Sequence, residues 1–224
     1  ASDNTAIGYK ALEANTTGAH HSALGAFALQ SNTTGDENTA VGKSALGYNE
    51  TGNKNTAVGR SALSANLASE NTGVGYKTLL ANTTGTRNTA LGAWSLDSNT
   101  TASDNTAVGY DALAANTTGI NNTAVGTYAL RLNTTGISNT GIGVSALQSV
   151  TTGQSNTAVG REALRNNTGD SNTAVGMQAM RNNTTGASNV AVGHAALNVS
   201  TTGNNNVAIG YDASVAQTTG GNNI

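Results

Sequence analysis

One phrase recurs along the whole sequence, and its fixed spacing constrains the fold more than any other feature. We align the chain on the Asn of each N-T-A, call that residue position 1, and obtain the consensus N-T-A-V-G-x-x-A-L-x-x-N-T-T-G-x-x. Successive repeats are 17 residues long, apart from two 16-residue repeats that begin at Asn55 and Asn156. The thirteen complete repeats predict a single repeat array over residues 1–224, and we expect the chain to be a segment of a longer array.

The repeat positions differ sharply in the side chains that they accept. Position 3 is always Ala or Gly, position 5 is always Gly, and positions 8 and 9 are mostly Ala and Leu. Of the 22 charged residues, 21 fall at positions 6, 7, 10, 11, 16 and 17, and Glu50 at position 13 is the exception. Because charged side chains are rarely buried, these positions are predicted to face water, and positions 2–5, 8 and 9 are predicted to be packed. Position 4 is aliphatic throughout, with Ile7, Leu24, Val41, Val58, Val74, Leu91, Val108, Val125, Ile142, Val159, Val175, Val192 and Ile209.

A short repeat of this composition predicts an all-β fold. Seventeen residues are too few for a helical-hairpin repeat, whereas short β-branched runs bounded by Gly and Asn are typical of strands. We predict a parallel β-solenoid with one coil per repeat and two short strands per coil, at positions 1–5 and 7–10. Gly at position 5 and the N-T-T-G run would form the corners. At an inter-strand spacing of about 4.8 Å, thirteen coils would form a rod about 60 Å long.

The Asn residues at position 1 predict a structural ladder rather than a chemical site. Stacked Asn side chains can bond amide to amide along a column of parallel strands. The predicted ladder comprises Asn4, Asn38, Asn55, Asn71, Asn88, Asn105, Asn122, Asn139, Asn156, Asn172, Asn189 and Asn206. His21 occupies the same position in the second repeat.

Adjacent apolar positions predict a partner. Side chains of a strand alternate between its two faces, yet positions 3 and 4 are both apolar, and so are positions 8 and 9. Because a coil has one interior, we predict that the small Ala face packs against other copies of the chain.

Composition argues against several functions. A net charge of −2 gives no basic stripe for nucleic acid, and no apolar run is long enough to span a membrane. There is no Cys, and the one His pair, His20–His21, has no acidic neighbour in sequence that would complete a metal site. Because Ser, His and acidic residues are scattered, we expect no catalytic residues, no cofactor and no metal.

Aromatic residues concentrate at positions 6 and 7, which would form one corner of the coil. Aromatic side chains there could contact a surface glycan or a receptor protein, or simply cover the edges of the core. The candidate receptor contacts are Tyr9, Phe27, Tyr76, Trp94, Tyr110, Tyr128 and Tyr211.

The repeats resemble the head repeats of trimeric autotransporter adhesins and the repeat regions of phage tail fibres. Runs such as N-V-A-I-G at 206–210 and N-V-A-V-G at 189–193 are similar to the adhesin-head motif, although the period here is longer. The resemblance covers essentially the whole chain and implies a left-handed parallel β-roll assembled as a parallel homotrimer. It further implies a non-catalytic, extracellular segment of a cell-surface adhesin or virion tail fibre that projects towards a host surface.

Two other functions stay open as alternatives. An ice-binding solenoid would use regular Thr arrays, but the adjacent Thr residues of N-T-T would point to opposite faces of a strand, and the 16-residue repeats would interrupt the array. A carbohydrate-active solenoid would need paired carboxylates on neighbouring coils. Asp111 and Asp212 share position 7 but lie six coils apart, so we expect no such pair.

Overall fold

The computed structural model describes residues 2–214 and 219–223. These residues form a parallel β-solenoid in which each repeat is one coil, as the spacing predicts, and we number the coils 1–13 from the repeat that begins at Asn4. The chain divides into two compact units, 1–118 and 119–224. In each unit the strands are parallel and lie side by side in chain order.

Every coil contributes one strand of three residues, at positions 2–4. The first unit contains β1 (Thr5–Ile7), β2 (Ser22–Leu24), β3 (Thr39–Val41), β4 (Thr56–Val58), β5 (Thr72–Val74), β6 (Thr89–Leu91) and β7 (Thr106–Val108). The second contains β8 (Thr123–Val125), β9 (Thr140–Ile142), β10 (Thr157–Val159), β11 (Thr173–Val175), β12 (Val190–Val192) and β13 (Val207–Ile209). Equivalent positions pair in register, so that Val41 lies beside Val58 and Val58 beside Val74.

The prediction of a second strand at positions 7–10 is wrong. Positions 7 and 9 have left-handed backbone in coil after coil, as Ser44 (φ 58°) and Leu46 (φ 49°) illustrate, and a strand cannot contain such residues. This segment is therefore a succession of turns. It still bonds to the next coil, because the Leu29 amide donates to the Ala45 carbonyl at 3.0 Å and the Leu46 amide to the Ala62 carbonyl at 3.0 Å.

The prediction that the Ala face lies outside the coil is also wrong. Ala at positions 3 and 8 is buried within its own chain, together with Leu at position 9. The interior leaves little room at position 3: a Cβ added to Gly73 would lie 3.3 Å from the Leu63 side chain of the preceding coil. Strand alternation then turns positions 2 and 4 outward, so the aliphatic residues of position 4 are only partly buried or exposed.

Gly at position 5 marks the end of each strand because no other residue fits there. Gly59 has φ 132°, and a Cβ at this site would clash with the Gly75 carbonyl oxygen of the next coil. Residues that carry a side chain rarely adopt that backbone conformation. The close approach of the coils thus explains an invariant position that the strand pattern alone would not require.

Candidate functional site

The outward side of the strands is a regular surface in each unit. Position 2 supplies Thr in most coils and position 4 supplies Val, Ile or Leu, and both point away from the interior. We call the surface formed by positions 2 and 4 the strand face. Its aliphatic row is well exposed in places, with Leu24 and Leu91 both at 48%. The strand face carries no charged residue in any of the thirteen strands.

Two Asn ladders, both shielded from solvent over most of their length, hold neighbouring coils together. In the position-1 ladder, the Oδ1 of Asn38 accepts from the backbone amide of Asn55 at 2.9 Å and from its Nδ2 at 3.1 Å. The second ladder runs through the Asn residues of position 12, where the sequence predicts only a turn. There, Asn49 Nδ2 donates to Asn32 Oδ1 at 3.2 Å. These bonds satisfy buried amides that would otherwise destabilise the interior.

The two ladders meet at the carbonyl of position 15. The Gly52 carbonyl accepts from Asn38 Nδ2 at 2.7 Å and from Asn49 Nδ2 at 3.0 Å. The 16-residue repeat that begins at Asn55 preserves this junction, because the Ala68 carbonyl takes the place of Gly and accepts from Asn55 at 2.8 Å and Asn66 at 2.7 Å. A one-residue deletion is therefore absorbed in the N-T-T-G turn without interrupting the position-1 ladder. The Asn side-chain amides that form these hydrogen bonds therefore have a structural role.

His21 replaces Asn in the position-1 ladder and is almost fully buried. Its backbone amide donates to Asn4 Oδ1 at 2.8 Å, and its Nδ1 accepts from the Asn38 amide at 3.2 Å, as the amide oxygen of Asn does elsewhere. Burial lowers the pKa of His21, because a charged ring would lose its hydration. A neutral ring that accepts a backbone hydrogen bond at Nδ1 fits a structural role for this residue.

The structure brings some of the candidate receptor contacts together. Trp94 lies edge-to-face between Tyr76 and Tyr110, with ring centroids 5.3 Å apart in each pair, and Tyr9 contacts Phe27 in the same way. The remaining two candidates, Tyr128 and Tyr211, lie at the corresponding corner of coils in the second unit. Tyr128 carries Arg131 over its ring at 5.2 Å, and Tyr211 stacks on His194 at 5.0 Å. The aromatic residues therefore form separate clusters rather than one continuous row.

Two carboxylates lie on neighbouring coils, at different repeat positions. Asp97 is in coil 6 and Asp111 is in coil 7. Burial raises the pKa of Asp97, and the negative charge of Asp111 shifts it in the same direction. Both lie outside the predicted ladder and predicted receptor contacts. A pair of this kind could be found from sequence only by knowing that positions 10 and 7 of successive coils approach each other.

Within residues 2–214 and 219–223, no three His, Asp or Glu side chains gather as they would around a metal ion. No helix among these residues has the length and apolar character to cross a membrane. Comparison of the chain with family models, with curated proteins and with solved structures finds no match.

Proposed function

We propose that the chain is a non-catalytic structural and adhesive segment of an extracellular fibre, of the kind found in trimeric surface adhesins and phage tail fibres. The observation that carries the proposal is the strand face, where each unit presents an uncharged, partly exposed aliphatic row. Large ordered apolar surfaces of this kind are typical of interaction sites. The partner proposed is a second and third copy of this chain.

The arrangement of the strand face favours parallel self-association. Every strand repeats the same outward pair, Thr or a substitute at position 2 and an aliphatic residue at position 4, in register with its neighbours. A surface that repeats at one spacing matches an identical surface laid alongside it. A cyclic assembly of parallel copies would cover the aliphatic row of every chain. The resemblance to adhesin heads supports three copies and a left-handed coil.

Single cysteines test this arrangement, because the sequence contains none. Val74→Cys places one thiol in the aliphatic row, and Lys54→Cys places one at position 17, away from the strand face. In parallel, in-register assemblies, Val74→Cys chains should form disulfide-linked dimers under mild oxidation while Lys54→Cys chains remain single. Equal cross-linking of the two variants, or none in either, would contradict the proposal.

The strand face also favours one alternative function, ice binding. The objection from N-T-T does not apply to this surface, because the Thr residues of position 2 all point outward, and the strands of the 16-residue repeats pair in register with their neighbours. An open Thr and Val array could order water at a regular spacing. The two functions need the same face and exclude each other: a monomer that produces thermal hysteresis supports ice binding, whereas an oligomer without it supports the fibre.

A further inference from the structure

Coil 3 departs from the repeat at three positions that lie close together in sequence. It carries Gly47 at position 10, Tyr48 at position 11 and Glu50 at position 13. No other repeat has Gly at position 10 or an aromatic residue at position 11, and Glu50 is the one charged residue outside the usual charged positions. Packing of the solenoid does not require these changes, because the other coils pack without them.

Two of these three residues, Gly47 and Tyr48, line a cavity. A depression of about 260 Å³ lies over coils 2 and 3, and it is lined by Phe27, Gln30, Lys43, Ser44, Gly47 and Tyr48. Its volume falls slightly below the range of about 300–1,000 Å³ common for drug-sized ligands, so it suits a ligand of one ring. Gly47 lines the depression where other coils place a side chain, and a Cβ there would lie 3.3 Å from the carbonyl oxygen of Ser44, another lining residue. The lining positions are 6, 7, 10 and 11, so the depression is separate from the strand face.

The lining residues have complementary chemistry. Phe27 and Tyr48 offer aromatic surface, and Tyr48 is 65% exposed although nothing in the core requires an aromatic residue there. Gln30 and Ser44 supply polar atoms beside the rings. Lys43 is exposed, and no carboxylate among the described residues lies within ion-pair distance of it. A ligand with an apolar face, a polar edge and a negative charge would satisfy all of these groups.

We propose that this depression, formed by Phe27, Lys43, Gly47 and Tyr48, binds a single sugar residue that carries a carboxylate, such as a uronic acid at the end of a glycan. A sugar ring has C–H faces for the aromatic residues and hydroxyl groups for Gln30 and Ser44, and its carboxylate pairs with Lys43. The inference rests on the proposed function only for the source of the glycan, a host or other surface. The depression shares no lining residue with the strand face.

Saturation-transfer NMR on the full chain, which detects weak ligands, tests the site with three probes. Glucuronate has a sugar ring, hydroxyl groups and a negative charge. Glucose has the ring and the hydroxyl groups but no charge. Benzoate has a flat ring and a negative charge but no hydroxyl groups. We expect transfer to glucuronate and at least a tenfold weaker affinity for both glucose and benzoate. Equal responses from glucuronate and glucose would refute the role of Lys43, and an equal response from benzoate would refute sugar recognition.

Variants that introduce residues found at the same positions of other coils locate the site, and circular dichroism checks that each variant keeps the fold. Tyr48→Ala introduces the residue found at position 11 in coils 1, 4 and 5, and Gly47→Gln introduces the residue of position 10 in coil 2. Each should abolish glucuronate binding. Leu132→Ala, the matched change at position 11 of coil 8, should leave it intact. Binding that survives both coil-3 variants, or its absence in the unmodified chain, would overturn the assignment, while the cysteine cross-linking would be unaffected.

Discussion

At the scale of single residues, the most consequential feature is the left-handed backbone of Leu at position 9. Leu46, Leu63 and Leu79 all have φ near 50° and are fully buried. This conformation costs an L-residue about 1–2 kcal/mol, and it persists because it directs the Leu side chain into the narrow interior. The residue type Leu does not indicate a left-handed backbone, so the sequence predicts a strand at positions 7–10. Gly at position 5, by contrast, is predicted to form a corner because Gly readily adopts backbone conformations that other residues avoid.

His21 makes stability depend on pH. Burial lowers its pKa below the ordinary value of 6.5 that applies to the unfolded chain, so the unfolded state binds more protons over the interval between the two pKa values. The stabilising contribution of the neutral ring is therefore complete above pH 6.5 and is lost as the pH falls through the lowered folded pKa. Denaturant unfolding measured from pH 7.5 to pH 4.5 should show this loss.

The control for this prediction is His21→Asn, which restores the ladder consensus and keeps His20 and His194. The variant should lose the part of the pH dependence that arises from His21 and should be at least as stable as the unmodified chain at low pH. An unchanged pH profile in His21→Asn would show that the buried ring does not carry the effect.

At the scale of elements, the Asn ladders connect one coil to the next. The position-1 ladder follows from sequence because an Asn at the start of every parallel strand lies beside its counterparts on the neighbouring coils. The position-12 ladder does not, because Asn is equally favoured in turns. Likewise, the choice between Ala and Val for the interior could not be made from the strand pattern, since both are apolar. The interior width decides it, and that width depends on how far the Leu of position 9 projects.

Replacing a ladder amide by an isosteric carboxylate tests the donor role of the Asn side chain. In Asn55→Asp, the new oxygen would face the Ala68 carbonyl and Asn38 Oδ1, where the amide now donates at 2.8 and 3.1 Å. Because the variant leaves buried acceptors without a donor and adds a charge, it should cost at least about 3 kcal/mol in the free energy of unfolding. Chemical denaturation at neutral pH measures the loss.

Asn53→Asp is the matched control. Asn53 Oδ1 accepts from the Asp36 amide at 2.7 Å, and Asp36 Oδ1 accepts from the Ala19 amide in the same way one coil earlier. The side chain at position 16 thus acts as an acceptor in both coils, which Asp can also supply, and the free energy of unfolding should change by no more than about 0.5 kcal/mol, as is usual at surface sites. Equal destabilisation by the two substitutions would contradict the donor role assigned to Asn55.

One coil lacks the Asn of the position-12 ladder, so a substitution that adds this Asn tests whether the ladder stabilises the fold. Ser200 replaces Asn in coil 12, and both its hydroxyl and the Oδ1 of Asn183 are buried without a hydrogen-bond partner. Ser200→Asn would supply an Nδ2 donor to Asn183 and should stabilise the second unit by about 1 kcal/mol, a typical net value for one hydrogen bond. Thermal or denaturant unfolding gives the readout, and a destabilised variant would show that the site lacks room for the amide.

At the scale of the whole molecule, the proposed function depends on what covers the strand face. Sequence analysis predicted self-association through the Ala face, whereas the structure buries Ala and exposes the aliphatic row of position 4. The proposal of a fibre segment therefore now depends on Leu24, Val58, Val74 and their equivalents. Substituting Val58 and Val74 together by Lys places two charges on that row, and the sheet can accommodate them because both side chains already point outward.

The mass of the folded particle in solution tests the central claim most directly. Light scattering on the size-fractionated full chain should give three times the 22.2 kDa chain mass, and the Val58→Lys, Val74→Lys variant should give the mass of one chain with an unchanged circular dichroism spectrum. An unmodified chain that remains a monodisperse 22.2 kDa monomer at every concentration would contradict the account.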